Sequence, residues 1–94
     1  EESYRIAKEA MSKNKILASI CISPIILAKA GVLKGKRATV WSSSLYKKPI
    51  LDLKNNGAIY EKGPVVIDGN IITANGPKAA EEFGKTIINL VKKK

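Results

Sequence analysis

Apolar positions recur along the chain at two different periods, and the changes between them mark out its elements. Residues 1–13 predict a helix, because Tyr4, Ala7, Ala10 and Met11 share one face at helical spacing with Ile6 at its border. Asn14 and Lys15 close it. Ile16-Leu17-Ala18-Ser19-Ile20 is a short apolar run between turn residues, a length that suits a buried strand better than a helix. Pro24 then opens a helix through Ile25, Ile26, Leu27 and Ala28, and Gly31 stops it. Lys34-Gly35-Lys36 reads as a tight turn and Arg37-Ala38-Thr39-Val40-Trp41 as a strand. Residues 42–44 are three serines and read as loop. Residues 47–56 predict a short helix carrying Ile50, Leu51 and Leu53, closed by Asn55-Asn56-Gly57. Ala58-Ile59-Tyr60 is a brief strand. Pro64-Val65-Val66-Ile67 and Ile71-Ile72-Thr73-Ala74 are strands joined across Asp68-Gly69-Asn70, and Asp-Gly between apolar runs is a strong hairpin signal. Asn75-Gly76-Pro77 reads as the cap of a final helix over 78–91, with Phe83, Ile87, Ile88 and Val91 inward.

Strands alternating with helices argue for an α/β fold with a largely parallel sheet. The runs 16–20 and 65–67 are apolar on both faces, so helices must cover both sides of that sheet. Four helices over three or four short strands make a small three-layer sandwich with bare outer strands, and bare apolar edges are a liability. The pattern reads as one α/β domain over 1–94, and as half of a sheet. It contains no internal repeat and no low-complexity segment.

Composition narrows this reading. With 94 residues, of which 5% are aromatic, aliphatic side chains must fill a thin core. The longest apolar run, residues 25–28, falls far short of the ~20 residues of a membrane span. The chain starts at Glu1 with no signal-peptide core, so it is expected to be processed or part of something longer. Seventeen basic residues against eight acidic give a net charge of +9, which raises a nucleic-acid partner. The lysines are scattered, however, Arg5 and Arg37 are the only arginines, and there is no aromatic platform for bases. Solvated lysine faces explain the charge better. Abundant lysine and isoleucine resemble the usage of thermophile proteins. Cys21 is the only cysteine, so no internal disulfide forms and a reducing, cytoplasmic compartment is expected. Histidine is absent, which removes His-based zinc sites, Ser-His-Asp triads and Cys-His dyads within this chain. No metal or cofactor is expected.

Chemistry enters at Ser19-Ile20-Cys21-Ile22-Ser23-Pro24. A strand ends, a reactive side chain follows, and a helix begins at once. Serines two residues before and after Cys21 give the small-x-nucleophile-x-small spacing of a nucleophile elbow, which needs small neighbours because the turn is sharp. The backbone of Cys21 should be strained. A helix start favours a thiolate there, and the amide of Ile22 would point where an oxyanion forms. Against this stands the plain alternative of Cys21 as a small buried hydrophobe. The Ser23 hydroxyl is placed to cap the helix at Pro24. Trp41, at a strand end, is either packing or a pocket wall.

These segments resemble the C-terminal half of the DJ-1/ThiJ/PfpI superfamily. The resemblance rests on residues 18–24, on Leu27-Ala-Lys-Ala-Gly-Val-Leu-Lys-Gly-Lys-Arg-Ala-Thr39, on Asn56-Gly-Ala58, on residues 66–77 and on the style of the terminal helix. It implies a flavodoxin-like three-layer sandwich, of which only the C-terminal half is here. It implies a reactive elbow cysteine, Cys21, with the Ile22 amide in an anion pocket near Trp41 and Ser23. It also implies a glutamate from an early strand that this chain lacks, so a missing N-terminal half or companion chain is an expected partner, together with homo-oligomers. The departures are Ile22, where protease-like members carry His; Trp41, where members carry His or Tyr; and Ser23, where glycine is usual. A His-dependent peptidase is therefore unsupported. The expected activity is glyoxalase- or deglycase-type, or peptidase-like, cysteine chemistry on a small carbonyl or peptide substrate. The alternatives are redox sensing through Cys21 oxidation and a non-catalytic α/β binding module.

Overall fold

A computed structural model describes residues 2–93. The elements run α1 (Glu2–Ser12), β1 (Leu17–Ile20), α2 (Pro24–Lys29), β2 (Arg37–Ala38), α3 (Lys48–Asn55), β3 (Ile59–Tyr60), β4 (Val65–Asp68) and β5 (Ile71–Ala74). A single 3₁₀ turn, Pro77–Ala79, then leads into α4 (Ala80–Lys93). Residue 1, where the predicted first helix begins, lies outside the described residues.

β5 is the organising strand. It pairs in parallel with β1, Leu17 opposite Ile71 and Ile20 opposite Ala74, and antiparallel with β4, Val65 opposite Ala74. The sheet order is therefore β1-β5-β4, and β2 and β3 form a separate parallel pair. Gly69, at φ 61, makes the tight β4–β5 turn that Asp-Gly predicts. The Asn70 amide at that turn donates to the Asn14 carbonyl and side-chain oxygens, both at 3.0 Å. The Leu17 N–H donates to the Asn70 carbonyl at 2.8 Å. The start of β1 is thus held against the hairpin that precedes its partner.

Side chains alternate across β5 and build two unlike layers. Ile71 joins a cluster with Ala7 of α1, Leu27 and Ala28 of α2, Leu53 of α3, and Leu33, Ala38 and Val40 of the connecting segments. Ile72 points to the opposite face, where α4 packs on β5 and β1. Helices thus lie on both sides of the sheet, the three-layer order expected.

Three expectations are corrected. All four residues of β5 are buried, whereas β1 buries only Ser19 and β4 only Val66. The two-faced strand is therefore β5, because it alone in this sheet has a neighbour on each side; 16–20 and 65–67 leave Ala18 and Ile67 exposed. The strand predicted over 37–41 pairs only at Arg37 and Ala38. The Thr39 N–H leaves the ladder and donates to the buried Thr73 hydroxyl oxygen at 2.9 Å. Finally, no residue of α4 is buried. Phe83 and Ile87 are half-buried, but Ile88 and Val91 are 55% and 54% exposed rather than inward. One stripe of α4 rests on the sheet, and among the described residues nothing covers the other.

Candidate active site

The chain turns from strand to helix at Cys21. β1 ends at Ile20, Cys21 takes φ 66, and α2 starts at Pro24. Side chains rarely tolerate this left-handed region, and Asn14 at φ 59 is the only other non-glycine there among the described residues. Asparagine accepts that region readily; cysteine has no such preference. The strain persists because main-chain hydrogen bonds fix both sides of Cys21. Its N–H donates to the Ala74 carbonyl at 2.9 Å, and its carbonyl accepts from the Trp41 N–H at 2.7 Å. The Ser23 N–H closes the turn onto the Ile20 carbonyl at 3.2 Å. Cys21 is therefore pinned between the end of β5 and the segment after β2, with its side chain half-buried and the thiol free.

The Ile22 N–H donates to no main-chain carbonyl among the described residues, while its carbonyl accepts from Ile25 N–H at 3.1 Å. This leaves an amide donor beside the thiol, the arrangement that stabilises charge developing on an attacked carbonyl oxygen. The Ile22 side chain is 44% exposed. Ser23 departs from expectation: its backbone is helical, φ −60 and ψ −28, and its hydroxyl makes no capping bond. A cap needs an extended backbone at that position to aim the oxygen at the first amides. Ser23 lines no described cavity.

Trp41 packs its ring 6.1 Å from that of Tyr46, tilted by 45°. With Ser42, Asn75, Gly76, Pro77 and Lys78 it walls a cavity of about 310 Å³. Gly76 stands at that wall with φ 158, a backbone that side chains rarely adopt, while a Cβ there would only touch the Trp41 ring at 3.4 Å. A neighbouring cavity of about 400 Å³ shares Ser42 and Asn75. Cys21 lines neither. Trp41 is thus joined to Cys21 through the main chain, and Ser23 is not brought into the group.

Asn75 is the residue that sequence reasoning missed. Read as a helix cap, it makes no capping bond, because Gly76 occupies the cap position. Instead it lies between the two cavities. The available signal was positional: β1 and β5 run parallel and end together, and ligands gather beyond the carboxyl ends of parallel strands. No group of three or more His, Cys, Asp or Glu side chains that could hold a metal ion occurs among the described residues.

The fold that carries this turn has known counterparts. The DJ-1/PfpI family profile matches residues 1–90. The chain belongs to the DJ-1/PfpI family. It is 47% identical over 88 residues to an uncharacterised protein of Methanocaldococcus jannaschii, covering 94% of this chain and 42% of that protein. It is 34% identical over 92 residues to a Pyrococcus abyssi protein named a deglycase, covering 98% of this chain and 52% of the relative. Among solved structures, a ThiJ/PfpI domain protein of Brachyspira murdochii superposes with a TM-score of 0.89 at 26% identity, over 98% of this chain and 50% of its own. The DJ-1/PfpI chain described here therefore spans about half the length of these relatives, and its flavodoxin-like fold is that of the matched half. No described helix is long and apolar enough to cross a membrane.

Proposed function

We propose that this chain supplies the cysteine half of a DJ-1/PfpI-type catalytic centre acting on small carbonyl compounds. The observation that carries the reading is the backbone of Cys21, a non-glycine residue held at φ 66 with both its peptide groups hydrogen-bonded and the next amide unused. Strain of this kind costs roughly 1–3 kcal/mol and collects at functional turns. In the proposed step the Cys21 thiolate attacks the carbonyl carbon, a sulfur–carbon bond forms, and the carbonyl π pair moves onto oxygen. The Ile22 N–H holds that oxygen. In this proposal the proton it takes comes from a carboxylic acid outside this chain, the glutamate that the family resemblance implies. Relatives of similar identity carry both kinds of name, deglycase in Pyrococcus abyssi and putative cysteine protease in Bacillus subtilis; carbonyl chemistry is preferred here because this chain holds no histidine to form a Cys-His dyad of its own.

A second reading is favoured by one observation: Cys21 lines neither of the two cavities that meet at Ser42 and Asn75. In that reading the elbow is structural and the chain is a binding module. One experiment separates the two. The protein is incubated with a 2-oxoaldehyde, and loss of the aldehyde is followed beside intact mass. Turnover, or a Cys21 adduct, that Cys21→Ser abolishes while the fold is kept supports the cysteine centre. Equal turnover by both proteins, or none with no adduct, leaves the binding module.

A further inference from the structure

The larger cavity is chemically one-sided. Its polar lining is Ser42, Ser43, Ser44, Lys47, Lys62 and Asn75. Val40, Ile50 and Tyr60 supply an apolar floor. Among the described residues no carboxylate lines it. The acids nearest in sequence to the two lysines are engaged elsewhere: Asp52 pairs with Lys48 at 3.1 Å, and Glu61 with Arg37 at 3.5 Å. Lys47 and Lys62 take part in none of the ion pairs among the described residues. Ser43 accepts from the Tyr46 N–H at 3.0 Å, which leaves its own proton to donate. The cavity thus gathers two uncompensated ammonium groups, three hydroxyls and an amide in a basic chain.

We infer that this cavity binds a small phosphate monoester, with the phosphate between Lys47, Lys62 and the serines and the carbon skeleton on Val40, Ile50 and Tyr60. Lysines and hydroxyls suit a phosphate, whose oxygens take several donors from several directions. A carboxylate offers only two oxygens in one plane and engages fewer of these donors, and the Arg37 guanidinium, which could grip either anion, is held by the Ile67 carbonyl and Asp68. At about 400 Å³ the cavity lies in the range of small-metabolite pockets. Ser42 and Asn75 directly follow Trp41 and Ala74, the two residues whose main chains clamp Cys21. The inference goes beyond the proposed chemistry, since binding does not require Cys21 to react.

Trp41 is the only tryptophan and adjoins Ser42, so its fluorescence reports occupancy. The intact protein is titrated with glycerol phosphate and with inorganic phosphate at fixed ionic strength. Saturation with a dissociation constant of about 1 mM or tighter is expected for the ester. Lys47→Gln and Lys62→Gln should each weaken it roughly five- to tenfold. Lys54→Gln removes the same charge from an exposed position outside this cavity's lining, and should leave it within about twofold. Cys21→Ser should bind as the parent does, which separates this inference from the catalytic one. No saturation, or equal weakening by all three lysine variants, overturns the proposal in favour of bulk charge. Tighter binding of a single-stranded oligonucleotide with the same lysine dependence overturns it in favour of a nucleic-acid surface.

Discussion

On one face of β5, Ile71 sits in a cluster drawn from α1, α2, α3 and the segments between them, with Leu33, Ala38 and Leu53 fully buried beside it. On the other face Ile72 is just as buried, yet α4, the helix that covers it, buries none of its own residues and turns Ile88 and Val91 to solvent. The first face is covered by three helices that each bury residues of their own, although Ile6, Ile26 and Leu51 stand exposed on their outer sides. The second is covered one helix deep, and that helix carries an apolar stripe wider than the sheet beneath it can use. The same sequence therefore builds a finished core and an unfinished one, divided by a single strand. Both end where Ala74 meets Cys21, so the strained elbow stands at the boundary between them.

The largest test of that comparison is Ile72→Ala. Ile72 is fully buried even though its cover is thin, so the variant should lose roughly 3 kcal/mol, much as a closed-core deletion would. Urea denaturation measures it. A loss well under half of that would mean α4 does not hold this face in solution. Thr73→Val comes next. The Thr73 hydroxyl accepts from the buried Thr39 N–H, and removing it orphans that donor at a cost of about 1–2 kcal/mol. A neutral result would show that water reaches Thr39 and that the closed face is less closed than its burial says.

Cys21→Gly probes the boundary and should act in the opposite direction. Glycine accepts a positive φ freely, while its looser unfolded chain offsets part of the gain. The variant should gain about 0.5 kcal/mol and lose every thiol-dependent reaction. A destabilised variant would mean that the Cys21 side chain contributes more by packing than its backbone costs, and the inert reading of the elbow would be strengthened.

What the sequence revealed and what it hid follow the same division. The hairpin was legible because Asp68-Gly69 encodes its turn locally. The elbow was legible because a strand, a cysteine and a helix-opening Pro24 are adjacent. Helix ends at Asn14, Gly31 and Asn56 are written in one or two residues each. The length of β2 was not legible, since its ladder is ended by Thr73, 34 residues away. Ser23 read as a cap because its residue type is right, but capping is decided by backbone angles that the elbow itself imposes. The inward face of α4 was misread for a deeper reason: periodicity identifies which side chains are apolar, and says nothing of how much surface stands ready to receive them. Asn75 and the lysine–serine cavity were hidden because they come together only when β5, α3 and the segment after β2 converge.

The smallest expected effect on stability tests the unfinished face most directly. Ile88 and Val91 are more than half exposed, so Ile88→Lys with Val91→Lys removes little packing and should change the unfolding free energy by less than about 0.5 kcal/mol. Its effect on association should be large. An exposed apolar stripe in a chain that spans half the length of its relatives is expected to pair with another copy when nothing else covers it. Light scattering should therefore place the parent chain above the 10.2 kDa of a single copy and the double variant at that mass. A parent that scatters as one copy would show that α4 tolerates water on its apolar side, and the difference between the two faces of β5 would be one of depth alone. A double variant that loses stability along with association would show instead that the stripe packs within the chain, and that the second face is closed after all.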